Sequence, residues 1–206
     1  VFNQLQKINT EEEESDSLPS YYYENDYWPN KLAEIKNSMN FSNGVCFAFI
    51  TDAHFPSNRE HSGLMLQEIL QKTNVPFVIY GGDTPALFGN ENQLDTAIAT
   101  LIEYMSLVGK NNWYAVRGNH DLYCRTNETP TTVYNKSKAE TYNSMVRPVE
   151  RFVTNMDPSH MCYCIDIPAQ KTRFVMLNSS DVDAATGGGN YTTAQLMWLV
   201  SALKDL

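Results

Sequence analysis

Apolar and polar positions follow two different periods along this chain, and the switches between them lay out its elements. Val45 to Thr51 (VCFAFIT) is apolar almost throughout, the pattern of a strand covered on both faces. Ser62 to Thr73 follows with Leu64, Met65, Ile69 and Leu70 at helical spacing on one face. The pattern then recurs as an apolar run Phe77 to Tyr80, a Gly-Gly-Asp loop, and a helical stretch Gln93 to Val108. A third run, Trp113 to Val116, leads into Gly118-Asn119-His120-Asp121. Strand, loop and helix alternating at this spacing predict an α/β fold with parallel strands.

The rest of the chain frames these units. Residues 1–27 carry Glu11 to Glu14, Pro19 and Tyr21-Tyr22-Tyr23 without sustained period, so they read as a leader arm, flexible at first. Its tyrosines predict that the later part packs on the domain, which spans 28–206. Pro29 to Met39, with Leu32, Ile35 and Met39 at helical spacing, predicts a first helix. After a loop-rich stretch around Thr126 to Thr132, a helix is expected over Lys138 to Val153, then strands over Met161 to Ile167 and Arg173 to Leu177. Gly187-Gly188-Gly189 lacks the Gly-Lys-Ser/Thr of a phosphate loop and reads as a flexible turn. Thr192 to Leu206 closes the chain as an amphipathic helix with Leu196, Leu199, Val200 and Leu203.

Length and charge narrow the classes. With 206 residues one domain is the default. The net charge of -9 argues against extended nucleic-acid binding. No apolar run reaches the ~18 residues of a bilayer span, so the chain as given is expected to be soluble. It begins with Val1 rather than Met, so an upstream piece is expected to have been removed or left out, and the compartment stays open. Cys162 and Cys164 lie two apart on a strand and so on one face, a poor arrangement for a mutual disulfide. Buried free thiols are expected instead.

The candidate chemistry lies in three clusters, each just after an apolar run: Asp52-Ala53-His54, Gly81-Gly82-Asp83 and Gly118 to Asp121. Parallel strands brought side by side by crossovers place such loops at one sheet edge. Asp52 and His54, one residue apart, can point the same way toward one metal. Asp83 follows two glycines that allow a sharp turn, and a carboxylate with two usable oxygens is the natural bridge between cations. Asn119 offers a neutral carbonyl oxygen, and His120 a group that can hydrogen-bond a phosphate oxygen or donate a proton. Mixed oxygen and imidazole ligands suit Mn, Fe, Zn or Ni without choosing among them. His61 and His160 read as solvated surface groups, and Asp166, Asp181 and Asp183 as ordinary surface or turn carboxylates.

These three blocks resemble the first signature blocks of the calcineurin-like metallophosphoesterases. The later FVMLNSSD and the Gln195-Leu196-x-Trp198-Leu199 helix are similar to later segments of that family, so the resemblance spans roughly Val45 to Leu206. It implies two mixed β-sheets packed face to face with helices outside, and a two-metal site acting on a phosphomonoester or phosphodiester. By that resemblance Asp52 and His54 would hold the first metal, Asp83 would bridge, Asn119 would hold the second, and His120 would assist the leaving group, with Asp121 orienting it. The family's pattern continues with a later His and a Gly-His-x-His block, and this chain has no histidine after His160. The site is thus incomplete as written, with a weak second metal, and truncation of a longer protein is the expected reason. Two other readings stand beside the phosphohydrolase: a fold-retaining, non-catalytic domain with weak metal or phosphate binding, and a nuclease, which the acidic balance disfavours. Oligomeric state is left open.

Overall fold

A computed structural model describes residues 18–39, 44–54, 60–84, 92, 95, 96, 98, 99, 102, 113–121, 123–125, 133–180 and 189–204. Its first sheet takes the order β1 (Ala48–Ile50), β2 (Val78–Tyr80), β3 (Trp113–Ala115), all parallel, with Ile50, Tyr80 and Ala115 on one level. Every residue of β2 and β3 is buried, as parallel strands under crossover helices require. One such helix is α2 (Glu60–Thr73), and the described residues Asn92, Asp95, Thr96, Ile98, Ala99 and Ile102 are helical within the second predicted crossover. A second sheet is an antiparallel meander of β6 (Val153–Asp157), β7 (Cys162–Ile167) and β8 (Thr172–Met176). The mixture of strand senses therefore lies between the described sheets rather than within either.

One core joins the two sheets. Val78, Tyr80, Trp113 and Ala115 of the first share it with Tyr163, Ile165 and Met176 of the second. Tyr163, fully buried, donates its hydroxyl to the Ala115 carbonyl at 2.7 Å, a direct tie from β7 to the last residue of β3. Burial pushes the Tyr163 hydroxyl well above its usual range, so it stays a donor. The buried Cys162 and Cys164 lie outside any disulfide, as does the half-buried Cys46.

A satellite cluster of Leu18, Trp28 and Leu32 packs with Tyr22, Leu64, Met65 and Ile69, docking α1 (Tyr27–Ser38) on α2. Glu68 anchors it by accepting from the Tyr23 hydroxyl and, at 3.1 Å, from the Trp28 indole. Residue 18 onward thus lies against the domain through Leu18 and Trp28, while Tyr21 stays exposed. No described helix is long and apolar enough to cross a membrane.

Several elements differ from the sequence-based expectation. β1 is not covered on both faces, since Phe49 is 62% exposed, and among the described residues it is the outer strand of its sheet. The helix expected over Lys138 to Val153 is shorter. The chain opens α3 (Lys138–Met145) with a capping box, in which Ser137 Oγ accepts from Glu140 N and the Glu140 carboxylate accepts from Ser137 N. Pro148 then has no N–H for an i→i−4 bond and its ring crowds the carbonyl of residue 144, so the chain tightens into a 3-10 turn over Arg147–Phe152. β6 follows where helix or loop was expected. Two short strands, β4 (Tyr123–Arg125) and β5 (Val133–Asn135), pair antiparallel around the expected loop stretch, whose residues 126–132 lie outside the described ones. The closing helix, α4 (Thr193–Lys204), buries Gln195 and Ala202 rather than its leucines; Leu196, Val200 and Leu203 are exposed.

Two residues read as solvated are paired. His160 Nδ1 lies 2.7 Å from Asp157 Oδ2 in the β6–β7 turn, both half-buried, because the turn brings residues three apart onto one side. Asp166 sits opposite Arg173 across β7 and β8, and the guanidinium clasps it with bonds of 2.6 and 2.7 Å. Register, which local composition does not reveal, made this pair. Asp181, Asp183 and the His61 side chain lie outside the described residues.

The Arg173 guanidinium holds the Asp166 carboxyl below its usual range. A lowered folded-state value gives stability that is present above the unfolded value, about 3.9, and lost as pH falls through the lower folded one. Asp166→Asn is therefore expected to flatten the fall of Tm with pH below about pH 4. An identical acid limb in the variant, measured by thermal melts across pH, would refute the pairing's role.

Candidate metal centre

The level ends of β1, β2 and β3 carry their ladder beyond the strands. Gly81 N donates to Ile50 O at 2.8 Å and Val116 N to Tyr80 O at 2.9 Å. Asp52 N then donates to Gly82 O at 3.0 Å, and His54 N to Asp83 O at 3.2 Å. The first two predicted clusters are thereby laced together at one carboxyl edge, and side-chain bonds of Asp83 and Asp121 tie in the third.

Their backbone is unusual. Asp52, His54 and Asp83 all take positive φ, at 56°, 52° and 58°. A side chain in this left-handed region is costly, about 1–3 kcal/mol, and persists where the surroundings over-determine it. Here the interloop N–H···O bonds do so. Gly82, at φ 96°, has no such cost, and it passes so close to the third loop that a Cβ would stand 2.8 Å from Gly118 Cα. A Cβ on Gly118 would overlap Asp83 Oδ1 and stand 2.6 Å from Asp83 N.

This lacing brings together His54, Asp83 and His120. One donor atom from each lies within 4.8 Å of the others, and all three residues are half-buried. The two imidazoles stack with centroids 4.8 Å apart and planes 14° from parallel. Two ligands of one ion lie at most about 4.2 Å apart, twice a metal–nitrogen bond of about 2.1 Å. The cluster is thus under an ångström from ligand spacing, within reach of small side-chain rotations. Two imidazoles and a carboxylate form a donor set that fits a first-row divalent metal.

The other predicted residues surround this group. Asp52 Oδ1 lies 3.7 Å from His54 Nε2, but its side chain is 57% exposed and accepts from the Thr51 hydroxyl at 2.7 Å. It is not in the three-donor group. Asn119 lies half-buried in the turn between Gly118 and His120. Asp121 is wholly buried beneath the loops. Its Oδ2 accepts from Asp83 N at 2.9 Å and Gly118 N at 2.8 Å, and its Oδ1 from Thr84 N at 2.9 Å. Burial pushes the Asp121 carboxyl up, and the bonds from Thr84 and Gly118 pull it back.

Thr51 and Thr84 are parts of the site that sequence reasoning missed. Thr51 bonds Asp52, and Thr84, fully buried, lends its N–H to Asp121. Their places immediately beside Asp52 and Asp83 were the only available signal.

Residues 47–183 match the sequence model of a family described as calcineurin-like phosphoesterase. No match is found among curated proteins or among solved structures.

Proposed function

We propose that this chain, which belongs to the calcineurin-like phosphoesterase family, forms a divalent-metal centre that hydrolyses a phosphomonoester or phosphodiester. The observation that carries the proposal is the convergence of His54, Asp83 and His120 at the carboxyl edge of the parallel sheet, inside the family match. In this reading Asp52 and His54 hold a first metal, Asp83 bridges, and Asn119 contributes to a second, with Mn, Fe, Zn or Ni all compatible. When bound, such ions supply Lewis acidity toward the phosphoryl oxygens and lower the pKa of an attacking water.

The chain's own groups do the rest. His120, stacked on His54, is placed to hydrogen-bond a phosphoryl oxygen or give a proton to the departing one. Its backbone N–H donates to Asp83 Oδ1 at 3.0 Å, which ties the His120 peptide to the Asp83 carboxylate before substrate arrives. The half-buried setting limits water around both, which strengthens their interaction with the transferring phosphoryl group.

The test is hydrolysis of p-nitrophenyl phosphate and bis-p-nitrophenyl phosphate by chain stripped with a chelator, before and after adding Mn²⁺. Turnover is expected to be lost on stripping and regained with Mn²⁺, the favoured ester naming the substrate class. Mn²⁺ binding with no turnover of either ester would overturn the enzymatic reading and leave a metal-binding domain.

A further inference from the structure

We propose that Asp121 is a positioning residue, whose buried carboxylate pins together the loops after β2 and β3 and so sets the Asp83 carboxylate. Its consequence for metal binding rests on the metal centre proposed above; the pin itself stands on the hydrogen-bond geometry.

Asp83, Thr84 and Gly118 all direct their backbone N–H groups at this one carboxylate, which is fully withdrawn from solvent. Two of these donors belong to the loop after β2 and the third to the loop after β3, so one side chain ties both loops. The arrangement is reciprocal. Asp121, from the loop after β3, accepts from the loop after β2; Asp83, from the loop after β2, accepts His120 N–H from the loop after β3. Close approach at Gly82 and Gly118 leaves no room for one loop to slide past the other. Three backbone N–H groups donate to the Asp121 carboxylate, one of them that of Asp83 itself, so it acts on the site through the Asp83 peptide.

Asn at this position has one carbonyl oxygen and an NH₂ group, so at least one of the three N–H donors would face another donor. The test compares ¹H–¹⁵N spectra and Mn²⁺ titrations of the wild-type chain and Asp121→Asn. In the wild type the Asp83, Thr84 and Gly118 amides are expected downfield and slow to exchange. In the variant they move upfield, and the His120 amide moves with them. That amide reports the Asp83 carboxylate but neighbours residue 121 in sequence, so the Asp83 carboxyl carbon is followed beside it: both move if Asp121 sets Asp83, and the amide moves alone if the role is merely structural. The dissociation constant for Mn²⁺ is expected to rise about 10- to 100-fold.

An unmoved Asp83 carboxyl carbon, or unchanged Mn²⁺ affinity with all four amides shifted, overturns the proposal. Should the variant not fold, amide exchange in the wild type decides: Asp83, Thr84 and Gly118 exchanging as fast as exposed loops refutes the pin. A wild-type chain that binds no Mn²⁺ overturns the metal centre alone, and the Asp83 carboxyl carbon still decides whether Asp121 sets Asp83.

Discussion

Asp83→Asn is expected to abolish Mn²⁺-dependent hydrolysis of bis-p-nitrophenyl phosphate, lowering kcat by about a thousandfold or more, near 4 kcal/mol of transition-state stabilisation. The substitution is nearly isosteric and keeps a carbonyl oxygen that can accept from His120 N, so the loop contact at 3.0 Å can survive. What is lost is the negative charge among three converging donors and the second oxygen able to reach a cation. The expected signature is a chain with unchanged circular dichroism, weakened Mn²⁺ binding and no turnover. Activity within tenfold of wild type would remove Asp83 from the chemistry and would point to a contaminating enzyme as the source of any hydrolysis seen.

Gly118→Ala is expected to damage both fold and site. The added methyl overlaps the Asp83 carboxylate and stands 2.6 Å from its backbone N, and neither can retreat while both are tied into the interloop bonds. Forcing one methyl into such a contact costs about 1–3 kcal/mol. For a chain of this size that lowers Tm by about 2–4 °C per kcal/mol. Mn²⁺ affinity should fall as well, because relief of the clash requires moving the Asp83 carboxylate. A thermal melt and a Mn²⁺ titration on the same sample separate this from a surface effect: unchanged values of both would show that the loops are not in contact as described. Asp166→Asn, by contrast, is expected to lower stability at neutral pH and flatten its acid limb while leaving Mn²⁺ binding unchanged, since Asp166 and Arg173 lie on β7 and β8 rather than in the laced loops.

Much of the site was legible in the chain. Asp52-x-His54, Gly-Gly-Asp83 and Gly-Asn-His120-Asp121 each follow a short apolar run, and the pattern predicted that parallel strands would carry them to one edge. The register of Ile50, Tyr80 and Ala115 delivers that edge. Helix starts were also legible where a local device sets them, as with Ser137 and Glu140. The chain was less informative where a partner is distant. Nothing near Asp166 announces Arg173, nothing near Val45 to Thr51 says that β1 leaves Phe49 exposed, and the leucines of α4 carry no sign that Gln195 and Ala202 would be buried in their place.

Sequence by itself determined which chemical groups stand at which strand ends, because apolar runs and the glycines beside them are local properties. Only the tertiary structure decided which donors meet. His54 and Asp83 leave their strands with positive φ, held there by hydrogen bonds between loops about 30 residues apart, and that backbone setting aims the side chains. It gathers His54, Asp83 and His120, leaves Asp52 half in solvent, and buries Asp121 against three backbone N–H groups. Side-chain direction at such a site follows from long-range backbone pairing, which no window of sequence contains.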